Sequence, residues 1–77
     1  MTDKMVDVTI HIDETVAGEE REGIQDKLRS LDGVMAAASH EHTPHLMLVE
    51  YNPDLIDSRK ILDTVTDTGV HAELIGM

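Results

Sequence analysis

Five histidines punctuate the chain: His11, His40, His42, His45 and His71. Neutral imidazole is a good ligand for Zn(II), Ni(II) and Cu(II), and Asp13, Glu14 and Glu20 could add carboxylate oxygens. Three of the five cluster as His40-x-His42-x2-His45, a chelating arrangement, although this spacing matches no established zinc motif and turns accept histidine freely. Cysteine is absent, so there are no thiolate ligands and no disulfides from which to read a compartment. No nucleophile has a base at meaningful spacing, and neither a glycine-rich phosphate loop nor a cofactor fingerprint is present. The residues predict a binding protein, not an enzyme.

Sixteen acidic residues against six basic ones give a formal charge of −10. Nucleic acid is disfavoured, because Lys and Arg supply most of the affinity for phosphates. An anionic membrane surface is disfavoured for the same reason. A metal ion or a basic partner fits the field better, and the charge also serves solubility. Tyr51 is the single aromatic residue, so there is no platform for stacking bases or sugars. The start of the chain lacks an apolar signal core, and no apolar run approaches membrane-spanning length; the expected location is cytoplasmic.

The elements that must position the histidines follow from periodicity. Val6 to Asp13 alternates, with Val6, Val8, Ile10 and Ile12 on one face and Asp7, Thr9, His11 and Asp13 on the other, a half-buried strand. Glu19, Glu20 and Glu22 suit the positive end of a helix whose apolar stripe is Ile24, Leu28 and Leu31. Asp32-Gly33 stops that helix. Val34–His40 and Leu46–Tyr51 read as a hairpin, with Pro44 in its turn and Asn52-Pro53 at its exit. Asp57 or Ser58 caps a second helix with Ile61, Leu62 and Val65 as its stripe. Gly69 ends it, and Val70 to Ile75 is a last strand. The expectation is one α+β domain over residues 1–77, a ferredoxin-like βαββαβ sandwich: a four-stranded antiparallel sheet with both helices on one face.

Taken together, Ile24-x3-Leu28-x2-Leu31-Asp32-Gly33-Val34, then Val49-Glu50-Tyr51-Asn52-Pro53, then Ile61-x3-Val65-x3-Gly69-Val70-x-Ala72, resemble the heavy-metal-associated domain of copper chaperones, metal-pumping ATPases and mercury-handling proteins. The resemblance spans nearly the whole chain and implies a metal-transport role. It fails at the loop that defines the family. The GMTCxxC loop falls on Glu14 to Glu20, which places Ala17 and Glu20 where the two thiolates would be and Thr15 where a packing Met would be. Ala17 offers no ligand and Glu20 a hard oxygen, so Cu(I) exchange between cysteine pairs is excluded.

In that topology all five histidines map to the end where the resembling proteins bind metal. His11 and His71 should form a cross-strand pair on the open sheet face. The leading expectation is a divalent ion, Zn, Ni or Cu(II), held by some of these histidines. The alternative is a metal-free interaction or homodimerisation module, because Ala36, Ala38, Leu46, Leu48 and Ile75 should lie opposite the helices among Asp7, Thr9, Glu50 and Glu73. Other uses of the fold fit less well. RNA-recognition domains need strand aromatics and a basic surface. An acylphosphatase-like enzyme needs an arginine in the first loop, whereas Arg21 falls inside the helix. An amino-acid-sensing regulatory domain binds its ligands between paired sheets, and the residue pattern matches it less closely.

Overall fold

Among the residues described by the computed structural model, 4–40 and 42–76, the chain runs β1 (Val6–Ile12), α1 (Gly18–Arg29), β2 (Val34–His40), β3 (Thr43–Tyr51), α2 (Ser58–Thr66), β4 (Ala72–Gly76). The strands form one sheet in the order β2-β3-β1-β4, and every neighbouring pair is antiparallel. This is the expected ferredoxin-like sandwich. Alternation decides the faces: Val8, Ile10 and Ile12 of β1 and Met47, Val49 and Tyr51 of β3 are buried. They meet Ile24 and Leu28 of α1 and Ile61 and Val65 of α2, which form the apolar stripes of the two helices. α1 lies over β2, and α2 over β4.

Helix ends follow local chemistry. Asp57 caps α2 by accepting the Lys60 backbone N–H at 2.8 Å. Gly33 after α1 has φ +100°, and a Cβ there would lie 2.8 Å from Ile56 Cγ2, so the turn requires glycine both for its conformation and for its space. Gln25 is buried within α1, donating to Ser39 Oγ at 3.2 Å, and Arg29 donates to the Ala37 carbonyl at 2.8 Å. These two bonds tie α1 to the edge strand β2.

Two boundaries differ from the expectation, and both bear on the site. β3 begins at Thr43, so Pro44 lies within the strand and not in the turn. The β2–β3 register breaks between Ser39↔Met47 and His40↔Thr43, which leaves residues 44 to 46 bulged away from β2. Proline, having no N–H for the ladder, is tolerated at such a bulge. β4 begins at Ala72 and not at Val70, which sets a different partner opposite His11. Among the described residues no helix is long and apolar enough to cross a membrane.

Candidate metal centre

His11 lies near the end of β1 on the open face, and its position in the ladder is opposite Leu46 of β3 on one side and Glu73 of β4 on the other. The expected His11/His71 pair does not form. The start of β4 at Ala72 places Glu73 beside His11, while His71 lies before the strand. His11 Nδ1 is 3.0 Å from Glu73 Oε1 and 3.2 Å from Asp13 Oδ1. Both neighbours are acceptors, so Nδ1 carries the proton and donates to Glu73, with the Asp13 carboxylate close beside it. One ligand atom each from His11, Asp13 and Glu73 lie within 4.8 Å of one another.

These separations suit a small cation. Zn–N and Zn–O bonds of about 2.0–2.2 Å arranged tetrahedrally put neighbouring ligand atoms about 3.3–3.6 Å apart. The two N···O distances fall just short of that range, so an ion that replaces the Nδ1 proton needs His11 and each carboxylate to part by only a few tenths of an ångström. The side chains stay partly open to solvent, with 37% of the His11 side chain exposed, which leaves room for water ligands and ion exchange. One nitrogen and two oxygens suit a borderline divalent ion better than a soft monovalent one.

His45 is delivered to this corner by the β3 bulge. Its Nδ1–H donates to the Ile12 carbonyl at 2.7 Å, which fixes the tautomer and leaves Nε2 as an acceptor. Its ring stacks on His11 with centroids 5.9 Å apart and planes at 20°. Imidazole binds metal in its own plane, so two nearly parallel stacked rings do not aim at one ion. As placed, His45 is a buttress that holds the His11 ring in orientation.

His71 joins a different partner. Glu14 Oε1 accepts the His71 backbone N–H at 2.8 Å, and Oε2 accepts a short hydrogen bond from its Nδ1–H. The imidazole beside Glu14 holds that carboxyl below its ordinary range, and the backbone bond adds to this. Glu14 in turn raises the imidazole, first by the hydrogen bond and then by its charge. With the Asp13 N–H donating to the His71 carbonyl at 2.8 Å, the loop after β1 is fastened to the start of β4.

The remaining expected residues are dispersed. His40 and His42 are exposed at the hairpin and do not enter the His11 group. Ala17 is the exposed N-cap of α1 and makes no side-chain cap bond; Glu20 is exposed in the first turn. Arg21 reaches back to the Val16 carbonyl at 3.1 Å, so guanidinium nitrogen occupies the space beside the loop. This loop does not fit Cu(I). Of the open-face residues, Ala38 and Leu48 are exposed, Ala36 and Leu46 are half-buried, and Ile75 is exposed at a register break in β4. Glu73 is the ligand candidate that the sequence does not announce. Its only signal is the alternation of β4, and that alternation cannot supply the register.

Neither a protein-family profile nor a curated protein sequence matches the chain. Solved structures do. The N-terminal domain of a potential copper-translocating P-type ATPase from Bacillus subtilis, in its Cu(I)-loaded state, superposes with TM-score 0.85 at 20% identity, covering 95% of this chain and 90% of that one. A copper-binding domain of another P-type ATPase gives 0.82 at 17% identity, covering 91% and 93%. Oxidised MerP from Ralstonia metallidurans CH34 gives 0.81 at 13% identity, covering 92% and 97%. At such identities the likeness establishes the fold, which is that of the heavy-metal-associated domains.

Proposed function

We propose that this chain, with the fold of the heavy-metal-associated domains, is a small non-enzymatic module that binds a divalent ion of the Zn, Ni or Cu(II) kind at the seam of β1 and β4. The ligands are His11 Nδ1, Asp13 and Glu73, with water completing the shell and His45 fixing the His11 ring from behind. The observation that carries this reading is the convergence of one imidazole nitrogen and two carboxylates within 4.8 Å at the end of a chain whose formal charge is −10. The fold supports it: the solved structures that share it are described as copper-binding or copper-loaded in two of the three cases above. A metal role here differs in donor chemistry, since the cysteine positions carry Ala17 and Glu20.

An NMR titration of amides and histidine rings with Zn(II), Ni(II) and Cu(II) at neutral pH tests it. Saturable shifts or broadening centred on His11, Asp13 and Glu73 are expected. His11→Ala and Glu73→Gln should each weaken binding by at least about tenfold, a loss that even outer-shell changes around a metal can cause. His40→Ala and His42→Ala should change nothing. If none of the three ions perturbs the protein at millimolar concentration, the reading is wrong. If the response survives His11→Ala and follows His40 and His42 instead, the site is wrong.

A further inference from the structure

The sheet face opposite the helices has three layers. At the metal end lie His11, Glu73 and Asp13 beside Leu46. In the middle, Ala38, Leu48 and Thr9 form one row across β2, β3 and β1, with Ile75 near it at the β4 register break. Leu48 is 45% exposed and Ile75 55%. In the third layer Glu50 stands directly opposite Asp7, with Ala36 on its other side. Like charges placed opposite each other across strands destabilise a sheet. Among the described residues no Lys or Arg on this face relieves them. Five of the six basic residues, Arg21, Lys27, Arg29, Arg59 and Lys60, belong to the helices on the other side, and Lys4 lies 3.8 Å from Asp54. The face is therefore an aliphatic band between two carboxylate rows, with the Lys and Arg side chains segregated away from it.

We propose that this face docks a cationic amphipathic segment of another protein, one that presents aliphatic side chains between two Lys or Arg groups. The spacing follows from the strand. Asp7 and His11 are four residues apart, so the two acidic rows are separated by about 13 Å at roughly 3.3 Å per residue. A helix covers that distance in about two and a half turns. The same-face spacings nearest to it, seven and eight residues, span about 10.5 and 12 Å, which flexible Lys or Arg side chains extend to the two rows with the aliphatic residues on the same side between them. A second copy of the chain is disfavoured as the occupant, because face-to-face pairing would set these carboxylates against each other. The aliphatic band supplies contact area, and the carboxylate rows supply orientation and steering.

The test uses the full chain, isotope-labelled, in low salt without metal. The probe is a synthetic helical peptide built on Lys-x-x-Leu-Leu-x-x-Lys. Saturable amide shifts confined to Asp7, Thr9, Leu48, Glu50 and Ile75 and to the upper row at His11, Asp13 and Glu73 are expected. Leu48→Thr keeps a strand-favouring residue at an exposed position and should weaken binding by about fivefold or more, the effect of losing one to two buried methylene equivalents. Asp7→Asn with Glu50→Gln should weaken it further and flatten its salt dependence, while melting curves confirm that both variants fold. The proposal is overturned if a peptide with Ser in place of Leu binds equally, or if the shifts spread over Glu19 and Glu22 of α1. Either result would mean diffuse attraction to an acidic protein. Absence of binding at millimolar peptide would overturn it as well. So would sedimentation showing a wild-type dimer that Leu48→Thr dissociates, since the occupant would then be a second copy.

Discussion

The Glu14–His71 pair gives the molecule a pH signature of known sign. His71 is raised by Glu14, so its contribution is full below the ordinary histidine value of about 6.5 and is lost as pH climbs through its raised folded value. Glu14 is lowered by His71, so its contribution is full above the ordinary carboxyl value of about 4.3 and is lost as pH falls through its lowered one. Between those ordinary values both groups are charged and the contribution is at its plateau. Both side chains are substantially exposed, and solvent screening keeps the effect small. Thermal melts from pH 3 to 9 should show wild type and Glu14→Gln differing most between about pH 4.5 and 6.5, and converging toward both extremes. A difference that is constant with pH would mean that Glu14 acts through the neutral backbone bond from His71 alone. The residue scale is also where the sequence is least legible. His11 and Asp13 stand out from their types and their place in β1. Glu73 becomes a partner only through the β1–β4 register, and the start of β4 at Ala72 is not marked by any breaker nearer than Gly69. Of the hairpin histidines, conspicuous as a string, His45 reaches the His11 ring, while His40 and His42 stay apart from it.

At the scale of elements, the start of α1 is a helix entry whose cap is unfilled. Ala17 has N-cap geometry, φ −62° and ψ 154°, but no side-chain oxygen to accept a first-turn N–H. Glu19 and Glu20 compensate through the helix dipole, and Arg21 holds the Val16 carbonyl. Ala17→Ser should therefore stabilise the fold by about 1 kcal/mol, and raise the melting temperature by about 4–8 °C in a domain of this size. An unchanged midpoint would show that the loop cannot bring the hydroxyl to the amides. The elements themselves were largely written in the sequence. β1 is legible from strict alternation, α2 from Asp57 and the Ile61/Val65 stripe, and the two helix stops from Gly33 and Gly69. The β3 start was not, because Pro44 signals a turn as strongly as it fits a bulge, and local chemistry does not separate the two. That same bulge carries His45 under His11, so the error in the element and the missing detail in the site share one cause.

At the scale of the whole molecule, charge connects the two surfaces. Asp13 and Glu73 belong both to the proposed metal site and to the upper carboxylate row of the open face. A divalent ion bound there cancels the charge that a cationic segment would meet at that end, while Asp7 and Glu50 at the other end are untouched. Metal and partner should therefore oppose each other, and linkage requires the opposition to be reciprocal. Saturating Zn(II) should weaken the Lys/Leu peptide by about fivefold, the lower end of ordinary coupling between sites, as expected for exposed groups. The peptide should lower zinc affinity by the same factor. Calorimetric titrations in both orders measure the two factors independently. Raising the salt to about 1 M shrinks the Debye length to about 3 Å and should remove most of the coupling. Equal factors that fall with salt would mark electrostatic competition across a shared row. A peptide affinity indifferent to zinc would place the ion away from Glu73, or the peptide away from the upper row. Glu73→Gln then separates these cases: a peptide that still responds to the substitution uses the upper row, and the ion does not.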